Sequence, residues 1–543
     1  MVSGSFKIVH ATLRRLVPYV FSALFFFAGI MLLVSGALPA VPEHMRWLRT
    51  IVPISFIEVS HLIGSLTGLF LLFLARGVWL RLDAAYYAGA AFLAIGIIAS
   101  LAKGFDWHEA TILGISLIFF LPTAKVFYRK ASLFTMSFSP LWIIMIVLAI
   151  GWSLVEGFEA YRHVDYTDDL WLRFSYVRGD APRFLRATLV ISLVAFCYML
   201  YNAFKVAVPE AIHKPSAEDI AHARVVAGMS HDPVGFLALL GDKSILWSQS
   251  RKSFIMYLNT PRYWIAMGDP VGDVSEYEDL VWRFRENANL YAGYTVFYQV
   301  SDRFLTLYLD RGLILIKMGE EARIDLTTFT LEGGKMENQR KTRNRFLKNG
   351  YTMRILERDE VIARMAELKK ISDSWIAAKN TREKGFSLGF FSENYVQHTR
   401  VAVIEKDGGI LAFANLWQLD NHDNISIDLM RYGPDAPANT MEFLFVSTIL
   451  WAQENGYKFF NLGMAPLSGM EEHELAPFWH KIGRIIYKHG EEFYNFEGLH
   501  AYKSKFNPAW SPRYLAAPPG PRIPLVLLSC AVIIAGGFKN IFR

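Results

Sequence analysis

Apolar residues are spread unevenly along this chain, and their spacing divides it in two. The first two fifths hold six nearly continuous apolar runs: Leu16–Leu38, Ile51–Ala75, Ala84–Leu101, Ala110–Thr123, Ser139–Leu154 and Ala187–Phe204. Each approaches the roughly 20 residues a helix needs to cross a bilayer, although the fourth is short and carries Pro122. The first run is too long for the core of a signal peptide and has no small-residue cleavage site. Loops rich in Lys and Arg stay on the cytoplasmic side. Lys7, Arg14 and Arg15, then Arg76 and Arg81, then Lys125, Arg129 and Lys130, and finally Lys205 fall in alternate loops. The N-terminus and everything after Lys205 are therefore predicted to face the cytoplasm. Glu58 and His61 stand inside the second run. Ionisable groups at membrane depth are candidates for function, and at this spacing the two can equally satisfy each other.

Beyond the sixth run the pattern changes to that of a folded soluble domain. Strands are predicted at Ser253–Leu258, Tyr263–Met267, Tyr294–Val300, Thr306–Leu309, Leu313–Met318, Val401–Glu405, Gly409–Leu416, Ile425–Met430 and Lys458–Leu462. Helices are predicted at Tyr277–Asn287, Lys335–Asn349, Ile362–Ala378 and Thr440–Asn455, the last stopped by Gly456. Asp407-Gly408 marks a hairpin turn. Strand runs punctuated by helices, in a pattern that appears about twice, predict an α+β fold of two related lobes. The expected domains are 1–208 in the membrane, 209–355 and 356–520 as the lobes, and 521–543 as a tail. The tail is apolar from Ile523 to Ala535, short for a span. It reads as a membrane-surface or re-entrant helix, or as a helix packed on the soluble core.

Composition agrees. The chain has 543 residues, 53% hydrophobic and 20% charged, with net charge +6. That apolar excess argues against a purely soluble enzyme. Two cysteines, Cys197 and Cys530, exclude a cysteine zinc site and a disulfide framework, and no metal-ligand motif is present.

Nucleotide-binding and hydrolase motifs are absent as well. An acetyl-coenzyme-A enzyme would place a Gly-rich turn before a helix to hold the diphosphate. The turn here, Gly433-Pro434-Asp435-Ala436-Pro437-Ala438-Asn439-Thr440, has prolines and an aspartate that repel one. Asp428 and Arg431 close a predicted strand, and side chains three apart on a strand point to opposite faces. They converge only if the chain bends near Met430, to orient a hydroxyl and hold a phosphate, or they form a strand-end ion pair. The loop Asn461–Gly469, which includes Ser468, follows a strand as site loops commonly do. Tyr487–Phe506 interleaves aromatics with Lys, His and Glu, suited to stacking and phosphate contact or to a half-buried strand. Arg340, Lys341, Arg343, Arg345 and Lys348 share one predicted helix without an intervening acid. Such a run suits a polyanion, nucleic acid or anionic lipid, or a solvated face.

Four segments together resemble the bacterial phosphatidylglycerol lysyltransferases, the multiple peptide resistance factors. They are Tyr263–Gly272, Asp428–Arg431, Phe460–Gly469 and Glu491–Phe506, with Phe127–Ser132 similar in the membrane part. The resemblance is co-linear over nearly the whole chain. It implies tandem GNAT-like lobes that move an aminoacyl group from a charged tRNA to phosphatidylglycerol at the inner leaflet of the bacterial cytoplasmic membrane. It implies no cofactor and leaves homo-oligomerisation open. Lysine is the expected amino acid, with alanine the variant. The implied roles are Asp428 for the acceptor hydroxyl, Arg431 and Lys503 for phosphate or oxyanion, and Glu491 for the donor's amino group, with Asn461, Ser468, Tyr494 and Lys505 lining the substrates. Such proteins commonly carry further N-terminal spans linked to lipid translocation, whereas about six precede the transferase here, as in a short or a truncated member. The competing readings are a lipid transporter with a regulatory cytoplasmic domain, favoured by Glu58 and His61, and an acyltransferase using a small thioester.

Overall fold

The structure is a computed structural model that describes residues 2–37, 54–104, 106–129, 140–160, 190–195, 198, 214–260, 262–379, 383–471, 473 and 496–537. It forms two compact units, residues 1–208 and the bulk of residues 209–543.

In the first unit, four helical stretches among the described residues are long and apolar enough to cross a membrane: Leu16–Ala37, Ser60–Trp79, Asp83–Ala102 and Trp107–Val126. Leu141–Gly157 is a shorter apolar helix, and most of the predicted sixth span lies outside the described residues. Helices Val2–Ala37 and Ile54–Trp79 cross closely at glycines. A Cβ on Gly68 would lie 2.7 Å from the Gly29 carbonyl oxygen, and one on Gly29 2.8 Å from that of Gly68. Between apolar helices in lipid, close packing and hydrogen bonds supply the attraction. Ser22 Oγ donates to the Ala75 carbonyl at 2.8 Å and Ser153 Oγ to that of Leu33 at 3.0 Å. Ser100 Oγ donates to Glu109 at 2.9 Å, and this carboxylate, which falls between the third and fourth apolar runs of the sequence, is buried on a helix.

The second unit is built on one continuous sheet. Its strands are β1 (Ser244–Trp247), β2 (Ser253–Asn259), β3 (Tyr263–Met267), β4 (Val271–Gly272), β5 (Tyr294–Ser301) and β6 (Ile314–Asp325). Then come β7 (Thr352–Leu356), β8 (Arg400–Lys406), β9 (Gly409–Gln418), β10 (Asn424–Tyr432), β11 (Phe459–Pro466) and β12 (Ala509–Ala517). The spatial order is β1-β2-β3-β5-β12-β6-β11-β10-β9-β8-β7, with β4 against β2. Each lobe contains a parallel pair joined through a helix. β3 runs beside β5 through Tyr277–Leu290, and β10 beside β11 through Thr440–Glu454. The neighbouring pairs are antiparallel, which gives the tandem GNAT-like arrangement. The last strand, β12, returns to lie between β5 and β6, so it sews the lobes together.

One apolar cluster spans both lobes, from Phe254, Ile265 and Val296 to Val401, Phe413 and Leu429. On the opposite face, Thr440–Glu454 and the cationic helix Glu337–Lys348 cover β6 and β8–β11. The helix Ile523–Ile534 packs Ile523, Val526 and Cys530 into the shared cluster and leaves Leu525 and Leu528 exposed.

Two predicted elements change, and one strand was not predicted. Thr306–Leu309 is a helical turn, Leu305–Leu309, which buries the consecutive Leu307 and Tyr308 instead of alternating them. β6 is twice its predicted length because it pairs with both β11 and β12. β12 escapes prediction because of Pro512, which a central strand would exclude. Pro512 sits opposite Glu320 of β6, before pairing with β5 begins at Arg513.

A bulky residue at Gly68 would force the first two helices apart. Gly68→Leu is expected to cost about 1–3 kcal/mol and to lower the melting temperature of the detergent-solubilised protein.

Candidate functional site

The site forms where β10 and β11 separate. Their parallel ladder ends at Ser426 opposite Asn461, where Ser426 Oγ donates to the Asn461 carbonyl at 3.0 Å. Directly beyond, both strands bulge. Asp428 and Leu429 of β10 face a single residue of β9, Asn415, and Leu462 and Gly463 of β11 face the single Ala322 of β6. A bulge leaves backbone groups unpaired, and asparagines take them up. Asn415 Oδ1 accepts from the Leu429 N–H at 2.8 Å, and Asn461 Oδ1 from the Gly463 N–H at 2.7 Å. Asn461 thus shapes the site's backbone.

The β10 bulge is the bend that lets Asp428 and Arg431 share a face. Asp428 Oδ1 accepts the Gly389 N–H at 2.9 Å, and Oδ2 accepts the Tyr395 hydroxyl at 2.6 Å. Trp417 Nε1 donates in turn to the Tyr395 oxygen at 2.7 Å. A Cβ at position 389 would lie 1.7 Å from Asp428 Oδ2, so any side chain there would displace the carboxylate. Burial pushes the Asp428 carboxyl above its ordinary range, opposed by these hydrogen bonds and by the charge of Lys243. Lys243 is fully buried and held by Asp242 at 2.6 Å and the Leu237 carbonyl at 3.2 Å. Arg431 makes no ion pair with Asp428. It donates to Glu383 at 2.9 Å and stacks over Trp375 at 4.1 Å, and its Nε has no partner among the described residues.

Lys503 approaches β11 from the other core. It lies on the helix Phe496–Ser504, whose neighbouring Tyr502 and Phe506 pack with Thr440–Glu454. Lys503 Nζ donates to the Met464 carbonyl at 2.9 Å, beside the β11 bulge. Burial pulls its ammonium down to about 8, with Glu321 opposing. This stretch is helical, so the half-buried strand read from its alternation is corrected for residues 496–504. Glu491 and Tyr494 lie outside the described residues. Ser468 pins its own loop, donating to the Ala465 carbonyl at 2.7 Å and accepting the Glu320 N–H at 3.1 Å.

The predicted cations divide. The cationic helix buries Gln339, Thr342 and Phe346 and turns its charges outward. Lys341 and Arg345 join Lys335 and Lys505 around a cavity of about 430 Å³, closed by Asn439 and Glu442 at the start of Thr440–Glu454. Lys505 therefore belongs to this basic cavity, away from the Asp428 cluster. Arg340 serves as a loop staple, donating to the Gly333 carbonyl at 3.2 Å, while Arg343 and Lys348 lie outside the cavity. In the first unit His61 is buried, and the side chain of Glu58 lies outside the described residues. No group of metal-ligating side chains occurs among the described residues.

The family described as phosphatidylglycerol lysyltransferase, C-terminal, matches residues 223–517. The chain belongs to the phosphatidylglycerol lysyltransferase family. It is 30% identical to the phosphatidylglycerol lysyltransferase of Bacillus subtilis over 517 residues, 93% of this chain and 58% of that one. With the enzyme of the same name from Staphylococcus xylosus it shares 36% identity over 277 residues, 51% of this chain and 33% of that one. The chain thus spans less than two thirds of these relatives' length. Among solved structures it is similar to the C-terminal domain named as a lysylphosphatidylglycerol synthetase of Agrobacterium fabrum, with 43% identity and TM-score 0.54. It is also similar to L-PGS of Bacillus licheniformis, with 32% identity and TM-score 0.53. Both cover 60% of this chain and 99% of theirs.

Sequence reasoning missed Tyr395, Trp417, Lys243, Glu383 and Asn415. Only Asn415 had a local signal, a polar amide inside the apolar strand Phe413-Ala414-Asn415-Leu416-Trp417. Asn415→Ala leaves the buried Leu429 N–H unpaired and is expected to cost about 1–3 kcal/mol, read as a lowered denaturation midpoint.

Proposed function

We propose that this protein transfers lysine from lysyl-tRNA to a glycerol hydroxyl of phosphatidylglycerol at the inner face of a bacterial cytoplasmic membrane. The observation that carries this is the gap between β10 and β11. A carboxylate, Asp428, stands on one face of the sheet, and an ammonium, Lys503, reaches the gap from the other. Two substrates entering from opposite faces would meet there. The names of the relatives support the acceptor and the amino acid. The basic cavity supports a polyanionic donor, and the positive loops support the orientation.

The chemistry is an ester exchange. The acceptor hydroxyl, oriented by Asp428, loses its proton to that carboxylate as its oxygen bonds to the aminoacyl carbonyl carbon. The tetrahedral oxyanion forms beside the Lys503 ammonium. The ribose oxygen then leaves with the electron pair of the broken ester bond and takes up the proton. Arg431, held by Glu383 and Trp375, directs its unpartnered Nε to a phosphate oxygen. An aminoacyl ester is already activated, so positioning and charge stabilisation suffice. The product carries less negative charge, which weakens the attraction of cationic peptides to the membrane.

Lipids of cells expressing the full chain should show a lysyl-phosphatidylglycerol species by mass spectrometry. Asp428→Ala should reduce it by on the order of 100-fold or more. In membranes the reaction should need lysyl-tRNA and stop on ribonuclease treatment. An unchanged lipid profile with folded protein present would favour the transporter reading.

Burial pulls the Lys503 ammonium down to about 8, and it must be charged to stabilise an oxyanion. It is protonated below that value and neutral above it. Transfer, corrected for alkaline hydrolysis of the donor, should therefore decline as pH rises through 8. Lys503→Arg should remove that decline, and a pH–rate profile checks it.

A further inference from the structure

The first lobe has its own counterpart of the β10–β11 gap. Where β3 and β5 end, a cleft of about 210 Å³ opens, lined from both lobes. Such clefts at the carboxyl ends of parallel strands are favoured ligand positions.

Three of its four carboxylates are engaged, and the fourth, Asp302, also lines it. Asp232 and Glu321 share Arg513, at 2.7 and 2.5 Å. Asp269 accepts the Ser301 N–H at 2.9 Å and the Tyr308 hydroxyl at 2.6 Å. Arg303 and Arg323 also line the cleft, and neither side chain forms a hydrogen bond or ion pair with a described residue; Arg323 lies over the Phe459 ring at 4.2 Å. Two further polar atoms are buried without a partner among the described residues, Ser301 Oγ and Asn424 Oδ1. Their residues are 8% and 6% exposed and both line the cleft. Buried polar groups ordinarily find partners.

These groups describe a ligand. Two guanidiniums suit a phosphate. Asn424 Oδ1 needs a donor, and Ser301 Oγ gives or accepts a hydrogen bond, so the ligand also carries hydroxyls. The volume is below the roughly 300–1,000 Å³ of ordinary small-molecule pockets, which favours a compact headgroup over a nucleotide. Glu321 joins the cleft to the transfer site, since its charge also acts on Lys503.

We propose that this cleft binds a glycerophosphate group, with phosphate on Arg303 and Arg323 and hydroxyls on Ser301 and Asn424. This rests on the transferase reading and gives the acceptor headgroup a subsite of its own. The group comes either from phosphatidylglycerol or from a soluble glycerophosphate.

The test uses the full chain in nanodiscs. Glycerophosphoglycerol and inorganic phosphate are titrated in separate arms, and lysyl transfer is measured against phosphatidylglycerol. Glycerophosphoglycerol should bind more tightly than phosphate. Arg323→Gln should weaken it roughly tenfold, and Ser301→Ala several-fold. For a lipid source, Arg323→Gln also raises KM for phosphatidylglycerol with kcat little changed. A shift in the soluble arm alone assigns the cleft to a free glycerophosphate. Ser301→Ala removes a single unpartnered oxygen, so it keeps the test open if Arg323→Gln does not fold. Equal binding of phosphate and glycerophosphoglycerol, no effect of either variant, or a change confined to KM for lysyl-tRNA would each overturn the proposal. Asp428→Ala separates the two hypotheses. If it abolishes transfer while the cleft variants do nothing, only the cleft assignment fails. If it leaves transfer intact, the transferase site itself is misplaced.

Discussion

The molecule turns on the place where two parallel strands stop holding each other. Up to Ser426 and Asn461, β10 and β11 form an ordinary ladder. One residue further, each has an extra residue in its outer pairing, and the ladder cannot continue. The cost of a bulge is its unpaired amides, and Asn415 and Asn461 meet it with side-chain oxygens. The separation is therefore built into the native hydrogen bonding. It turns Asp428 and Arg431 to one face and gives Lys503 a carbonyl to hold at the other lip.

Burial then tunes the groups set there. Desolvation raises the Asp428 carboxyl and lowers the Lys503 ammonium, so the two groups move toward each other in proton affinity. Neither is left to burial alone. Tyr395, Gly389 and Lys243 support the carboxylate, and Glu321 supports the ammonium. That pattern suits the proton transfer and oxyanion stabilisation proposed for them near neutral pH. Glu321 also shares Arg513 with Asp232, so charged groups link the β10–β11 gap to the first-lobe cleft.

Much of the site was legible as location and little of it as geometry. Asp428, Arg431 and Lys503 lie in segments recognisable by their pattern, and the structure places Asp428 and Lys503 at the lips of one gap. The same pattern suggested a substrate role for Asn461, Ser468 and Lys505. Two of these hold backbone, and the third faces a separate basic cavity. A polar residue after a strand looks alike in sequence whether it serves the chain or a ligand, because the distinction is the direction of its hydrogen bond.

By itself the sequence determined the division into an apolar helical half and an α+β half, because bilayer length and hydrophobic period are local properties. It also determined most strands and helices, and the cationic helix. Tertiary structure alone decided that β12 returns to join the lobes and that a proline is tolerated there, since pairing partners lie some two hundred residues apart. It alone decided that Tyr395 and Trp417 support Asp428, that Glu383 rather than Asp428 holds Arg431, and that Lys243 lies beside the carboxylate. Those outcomes depend on which distant groups share one buried volume, and burial is a property of the folded chain as a whole.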